Sequence, residues 1–305
     1  MRPLYLLLSS IAVASSSTPQ TPQSYKIAVD VDLVVLHPTV RTDNGSIAAH
    51  LEERNFEVYE DGRRQIIGVF RHEDAPVTVG LVVDHSSSMR HKLKDVIAAA
   101  HAFVLSSRPD DQMFVINFNE RVSLGLAGLN GLASGSAEIK NAISRMPAEG
   151  MTALYDAVLE GERRLEAGGY EKKVLIVISD GGDNASKHSL AQALKVAQRS
   201  SALIYTIGIF GHEDEDRNPE ALRRLALATG GEAFFPNEYT DVVSVCDRIA
   251  HDIRHQYTIG YISSSRARPG VYRSIRVVAR SADKSKLTVR ARAGYVPRGT
   301  DEIVK

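Results

Sequence analysis

Cysteine, tryptophan and net charge are what this chain lacks. A single cysteine stands among 305 residues, so no intramolecular disulfide can form. A chain of this length can bury enough surface to do without one. Cys246 falls on the apolar face of a helical segment and reads as a buried structural thiol. Lys and Arg together number 37, and Asp and Glu also number 37. That balance leaves no footprint for nucleic acid or for an anionic membrane. Tryptophan is absent and aromatics make up 6 %, but 43 % hydrophobic and 24 % charged residues are ordinary for a soluble chain. Enzymatic signatures are missing too. His50, His72, His85, His91 and His188 show no metalloprotease spacing, and there is no Gly-x-Ser-x-Gly elbow and no phosphate-cradling glycine loop ending in lysine.

What is present begins at the first residues. Arg2 precedes the apolar run Leu4 to Ala14, which ends in Ala12-Val13-Ala14. A basic start, a short apolar core and small residues at the end predict a secretory signal peptide over 1–14. The run is too short to span a membrane, and no later stretch is long enough to do so. Residues 15–24, rich in Ser, Thr, Pro and Gln, follow as a flexible leader. The chain is therefore expected to be secreted or periplasmic.

From Tyr25 the rhythm is that of β structure. Ile27, Val29, Val31 and Leu33 alternate with polar positions. Asn44-Gly45 marks a turn. Phe56 to Glu60 and Arg63 to Phe70 flank Asp61-Gly62 as a hairpin. About fifty residues of this kind, 25–74, are marginal alone and need something to pack on. Residues 75–255 change rhythm. Continuous apolar strands near 77–83, 112–118, 173–179 and 202–209 alternate with amphipathic helices near 89–106, 137–145, 153–167, 188–199, 219–228 and 240–254. That alternation predicts a doubly wound, mostly parallel α/β sheet covered on both faces. Residues 256–297 return to β, with strands near 256–262, 272–280 and 287–292. The expected architecture inserts the α/β domain into a small antiparallel β-sandwich built from both flanking segments, since domain termini tend to lie close together. Domains strung out in a row are the alternative.

The chemistry gathers where the first α/β strand ends. Val79-Gly80-Leu81-Val82-Val83-Asp84 runs into His85-Ser86-Ser87-Ser88-Met89. Ligands of open α/β sheets bind at the carboxyl ends of strands. Asp84, Ser86 and Ser88 alternate along the turn, so their oxygens can converge. Oxygen-only ligands suit Mg²⁺, Mn²⁺ or Ca²⁺. Helix capping is the simpler role for the two serines. It does not explain Gly150-Met151-Thr152, which lies 68 residues after Asp84, or Ser179-Asp180-Gly181-Gly182-Asp183-Asn184, whose aspartate is 28 residues further on.

These three segments, in this order, resemble the metal-ion-dependent adhesion site of the von Willebrand factor type A domain. The resemblance implies a Rossmann-like fold and a divalent cation, Mg²⁺ first, with Mn²⁺ or Ca²⁺ as alternatives. The cation would be held by Asp84, Ser86, Ser88, Thr152 and Asp180, with one coordination position left for an Asp or Glu of a protein partner. The flanking segments resemble an exported bacterial, acidobacterial-like group, through phrases such as Phe56 to Gly62 and Ala293-Gly294-Tyr295. The expected function is metal-dependent, adhesion-like protein binding. A structural component of an envelope assembly is the alternative, and a metal-dependent hydrolase a weaker one, since no base or arginine array accompanies the site.

Departures from the family pattern stand at Ser87, where glycine is usual, and at His85. A positive φ at Ser87 would add strain of about 1 kcal/mol. His85 would either face the partner with a pH dependence near neutrality or sit in solvent. Tyr155 is expected to line the recognition surface. Asp183 and Asn184 are expected to support their loop or cap the helix after it, and Asp156 to be structural. His212 to Arg217 reads as a solvated loop, with a weak Ca²⁺ loop as the sharper alternative.

Overall fold

A computed structural model describes residues 33–72, 74–126, 136–211, 216–265, 269–281 and 286–297. The signal peptide and leader expected over 1–24, and most of the strand expected from Tyr25, lie outside these residues. So does most of the loop 212–217. The chain opens with β1 (Leu33–Leu36), β2 (Thr39–Thr42), β3 (Phe56–Glu60), β4 (Arg63–Gln65) and β5 (Ile67–Arg71). The α/β region follows as β6 (Val77–Asp84), α1 (Leu93–Leu105), β7 (Gln112–Phe118), β8 (Val122–Leu124), α2 (Ser136–Ser144), α3 (Leu154–Glu166) and β9 (Lys172–Ser179). It continues through α4 (Leu190–Arg199), β10 (Leu203–Gly208), α5 (Pro219–Thr229), β11 (Ala233–Phe234) and α6 (Tyr239–Arg254). The last strands are β12 (Thr258–Ile262), β13 (Arg273–Ala279), β14 (Leu287–Arg290) and β15 (Gly294–Tyr295).

All eight residues of β6 are buried. A strand with no polar face belongs in the middle of a covered sheet. It lies there, in the order β11-β10-β9-β6-β7-β8, parallel to β7 and β9, with only the edge strand β8 antiparallel. Val77, Val79, Leu81 and Val83 pack with residues of α1, α2 and α6, while Val82 and strand residues such as Leu175 and Val177 pack with α3, α4 and α5. The doubly wound sheet is as expected. Cys246 is buried on α6 among the first of these groups, and burial pushes its thiol up to about 12.

Some local expectations give way to longer-range pairing. Helix α1 begins at Leu93 rather than Met89, because Ser87–Met89 form a separate 3₁₀ turn. The second arm of the expected hairpin is broken at Ile66. Residues 63–65 pair with β3 around Asp61-Gly62, whose φ angles are both positive (46° and 78°), as a two-residue hairpin turn requires. Residues 67–71 leave that sheet and pair with β12.

The flanking segments interleave. β12 lies between β1 and β5, β13 lies between β3 and β15, and β14 pairs with β2. Apart from β13 with β15, each of these pairings joins the N-terminal segment to the C-terminal one. Their shared core contains Val34, Leu36, Phe56 and Val58 from one side and Tyr257, Ile259, Tyr261 and Ile275 from the other. At its heart is Glu60, 1 % exposed. It accepts from Tyr261 Oη at 2.8 Å, Ser263 Oγ at 2.5 Å, Arg273 Nη2 at 2.6 Å and Tyr295 Oη at 3.2 Å. A buried carboxylate with this many donors is satisfied; removing it leaves its buried donors without their acceptor and leaves Arg273 only the half-exposed Asp61, 2.7 Å from Nε, as a counter-charge. Glu60→Ala is expected to lower unfolding stability by about 3–5 kcal/mol, read by urea denaturation; a loss below 1 kcal/mol would show that the network does not hold the sandwich.

Candidate functional site

β6 and β9 run in register, with Val83 opposite Ile178. Their carboxyl ends therefore deliver Asp84 and the Ser179-Asp180 pair to the same edge. Asp84 is fully buried and Asp180 3 % exposed. Asp84 accepts the Ser86 backbone N–H at 2.8 Å through Oδ1 and Ser179 Oγ at 2.6 Å through Oδ2. Ser88 Oγ donates to Asp180 Oδ2 at 2.5 Å and lies 3.1 Å from Ser86 Oγ. One chain of contacts thus joins Asp84, Ser86, Ser88 and Asp180. Ser86 stands at the head of the 3₁₀ turn, yet its side chain makes no capping hydrogen bond, so capping does not account for it.

Burial pushes the Asp84 carboxyl up to about 6, and the charge of Asp180 adds to the effect, while the bonds from Ser179 and Ser86 oppose it. Two neighbouring buried carboxylates are costly unless a positive charge joins them.

Thr152 enters from the loop before α3. It is 6 % exposed, and its backbone is fixed on both sides. Its N–H donates to Asn184 Oδ1 at 2.8 Å, and its carbonyl accepts from the Asn184 and Ala185 N–H groups at 3.0 and 2.9 Å. Asp183 Oδ2 accepts the Tyr155 N–H at 3.0 Å and Ser186 Oγ at 2.5 Å, so it holds the start of α3. Asp156 accepts from the Lys187 and His188 N–H groups at 3.0 and 3.1 Å. These residues clasp the second and third loops together. The first and second loops are joined by Ser87 N–H to the Gly150 carbonyl at 3.1 Å.

Three expectations change on this evidence. Among the described residues, Asp61 is the one non-glycine with positive φ, so Ser87 sits in its 3₁₀ turn without backbone strain. His85 is neither in solvent nor facing outward. It is wholly buried, with Nε2 3.1 Å from Asn117 Oδ1, and burial holds its pKa below the ordinary histidine value. Tyr155 is half-buried against the α3–α5 side of the core, a position that fixes α3 more than it lines a surface.

Several contributors escaped the sequence argument. Ser179 was visible as the residue before Asp180, but its bond to Asp84 depends on the β6–β9 register. Glu120, which accepts the Met151 N–H at 3.0 Å, carries no motif. Lys92, four residues after Ser88, is mostly buried; its Nζ donates to the Ile209 carbonyl at 3.2 Å and lies 3.8 Å from Asp180 Oδ2. Gly181 has φ +83°, and a Cβ there would collide with the Asn218 carbonyl oxygen.

The donor set is all oxygen and poor in carboxylate. Among the described residues no group of three or more His, Cys, Asp or Glu gathers as a metal cluster; a cation at this edge would rest on hydroxyls and two carboxylates. The 3.1 Å between Ser86 Oγ and Ser88 Oγ matches neighbouring corners of an octahedron with arms of about 2.1 Å, which stand about 3 Å apart. The residues fit a small hard cation.

Comparison with known proteins bears on the same region. The von Willebrand factor type A domain profile matches residues 79–248. A curated relative, the uncharacterized protein sll0103 of Synechocystis sp., is 31 % identical over 148 residues, covering 46 % of this chain and 34 % of that protein. The match thus spans about a third of the relative's length. Among solved structures, a von Willebrand factor type A protein from Catenulispora acidiphila aligns with TM-score 0.53 and 15 % identity, over 90 % of this chain and 76 % of that one. Proximal thread matrix protein 1 from the mussel byssus aligns with TM-score 0.51 and 17 % identity, over 64 % of this chain and 51 % of that one. At such identities the two structures speak to fold alone.

Two outcomes follow from the local geometry. Gly181→Ala combines a left-handed backbone with a collision, and is expected to cost about 1–3 kcal/mol, read by denaturant melting in chelator; a neutral effect would mean that the Asp180 loop is not braced against Asn218. Asp84 carries a folded-state pKa of about 6 against an ordinary 3.8. Its raised value favours the folded state below pH 3.8, and that contribution is lost as pH rises through about 6. In chelator, wild type should lose about 3 kcal/mol relative to Asp84→Asn between pH 4 and pH 7.5. Parallel pH–stability curves for the two proteins would contradict the assignment.

Proposed function

Because the chain belongs to the von Willebrand factor type A domain family, we propose that it is an exported protein-binding module whose β6–β9 edge holds a divalent cation and captures an acidic side chain of a protein partner. The observation that carries this is the meeting of two buried carboxylates with serine hydroxyls at one sheet edge. Asp84, Ser86, Ser88, Thr152 and Asp180 would hold the cation. When bound, it supplies an oxygen-seeking positive centre. The serine and threonine hydroxyls carry no charge, so beyond Asp84 and Asp180 this donor set adds nothing to cancel the ion's charge. The family resemblance puts Mg²⁺ first, with Mn²⁺ and Ca²⁺ as alternatives, since all three take oxygen ligands. His85, Ser87, Tyr155, Asp183 and Asn184 support the loops in this reading. The resemblance to an acidobacterial-like exported group and the N-terminal apolar run support a secreted or periplasmic setting. No helix among the described residues is long and apolar enough to cross a membrane. Binding rather than catalysis is the role. His85, in the turn between Asp84 and Ser86, turns to Asn117 rather than to the serines.

A second reading has its own support. Ser179 already satisfies Asp84, and Ser88 with Lys92 already attends Asp180. A site so closed on itself suits a structural or assembly component that engages its neighbours without a cation, and one fold relative bears the name of a thread matrix protein.

Calorimetric titration of the metal-stripped protein with Mg²⁺, Mn²⁺ and Ca²⁺ separates the two. Saturable binding of one Mg²⁺ or Mn²⁺, lost in Asp84→Ala, is the expected result. At a hundredfold excess over Kd the ion should add about 2.7 kcal/mol of stability. Absence of binding, with identical melting in chelator and in Mg²⁺, would transfer the function to assembly.

A further inference from the structure

The sheet of β15, β13, β3 and β4 gives one face to the sandwich core and the other to solvent. Phe56, Val58, Ile275 and Val277 pack in that core. Strand alternation then sends Tyr59, Arg64 and Arg276 outward, joined by Arg280 just past the end of β13. Arg276 and Arg64 each stand directly opposite Tyr59, one on each neighbouring strand. The Arg276 guanidinium lies over the Tyr59 ring, 4.0 Å from its centroid, and among the described residues it has no carboxylate partner. Glu57 is the one outward carboxylate of these three strands. Its Oε1 lies 3.1 Å from Arg280 Nη1 and 3.6 Å from Arg64 Nη2, and its Oε2 accepts from Tyr59 Oη at 3.1 Å. The Arg64 and Arg280 side chains are nonetheless 65 % and 68 % exposed. Acidic groups around the strands are largely engaged. Glu52 pairs with Arg54 at 2.9 Å, Asp61 is held by Arg273 and Ser274, and Glu53 lies with Arg54 and Arg64 along a groove at the β4 edge.

We propose that this outer face binds an acidic polysaccharide through the carboxylate or sulfate groups repeated along it. Three guanidiniums share one carboxylate, and the central guanidinium has none. A guanidinium stacked on an aromatic ring is held flat while the N–H donors around its edge stay free, which suits a two-handed grip on an oxyanion. The cations are spread out rather than gathered at a point. Positions two strands apart are about 10 Å apart, and positions four residues apart along a strand about 13 Å. A small anion can reach one of them; a repeating polyanion can reach all three. Nucleic acid suits the face less well, because Tyr59, the one outward aromatic of these strands, already carries Arg276 on its ring where a base would stack. The face belongs to the flanking strands and needs no divalent ion, so it adds a second binding surface to the one at Asp84.

The probes are polygalacturonate and heparin, titrated calorimetrically in chelator at low ionic strength. Chelator silences any cation site at Asp84, so the result stands apart from the function proposed above. Wild type is expected to bind at least one of the two polymers saturably and to release it as salt rises. Arg276→Gln should weaken that binding about tenfold, and Arg64→Gln combined with Arg280→Gln by at least as much. Arg276→Lys keeps the charge but loses the flat fork, and should recover only part of the loss. Arg145→Gln removes the same charge from an exposed position just after α2 and should stay within about twofold of wild type. All of these positions are exposed, and unfolding curves matching wild type confirm that the variants are folded. Absence of saturable binding to both polymers overturns the proposal. So do equal losses in Arg145→Gln and Arg276→Gln, full affinity in Arg276→Lys, or tighter binding of an oligothymidylate than of either polysaccharide.

Discussion

Two carboxylates of like charge are brought together, out of water, because two apolar strands must be neighbours. β6 and β9 are buried runs with no polar face, and the centre of the sheet is where such runs belong. Their register then leaves no freedom over what lies at their ends: Asp84 and Asp180 arrive at one edge. The hydrophobic effect sets this arrangement at the expense of electrostatics. The rest of the edge answers the resulting repulsion. Ser179 and the Ser86 N–H take the two oxygens of Asp84, Ser88 takes Asp180, and Lys92 stands beside it.

The loops around this pair are held by polar bonds rather than by packing. Asn184 grips the Thr152 backbone, Asp183 grips the start of α3, and Ser87 joins the Gly150 carbonyl. Each grip crosses from one loop to another, so the three segments form a single frame. A frame of such hydrogen bonds, the one to the Asp183 carboxylate charge-assisted, can place hydroxyls closely while leaving the surface at Ser88 open. The apolar layers beneath it, with α1, α2 and α6 on one face and α3, α4 and α5 on the other, supply the stability that such a polar edge cannot.

Much of this was legible in the residues. Buried strands announce themselves as continuous apolar runs, and β6, β7, β9 and β10 lie close to where the pattern puts them. Helix α5 spans Pro219–Thr229, close to the amphipathic stretch expected near 219–228. The three-segment motif could be read because its residue types are chemically unusual at strand ends. What could not be read depends on partners distant in the chain. His85 stands in a polar stretch and looks exposed, yet Asn117, 32 residues on, takes it inside. The strand expected from Arg63 to Phe70 has a regular local pattern, but β3 claims its first half and β12 its second. Lys92 looks like any helix-surface lysine until the Ile209 carbonyl is placed opposite it. Local chemistry announces elements; the company they keep is decided by the sheet.

The interleaving of the flanking strands bears on the order in which the molecule can be made. β1 pairs with β12, β2 with β14, and β3 with β13. A chain that emerges N-terminus first, from a ribosome or through a translocation pore, presents β1 and β2 well over two hundred residues before either strand meets its mate. Among the described N-terminal strands, β3 and β4 pair with each other around a tight turn and can close early. The α/β region between them is rich in neighbour-to-neighbour pairings and can condense on its own, carrying the two loose ends to the same place. The sandwich is then the last part to close, and the opening strands wait, unpaired, as exposed edges until it does. The Glu60 contacts with Tyr261, Ser263, Arg273 and Tyr295 act as the latch that records completion.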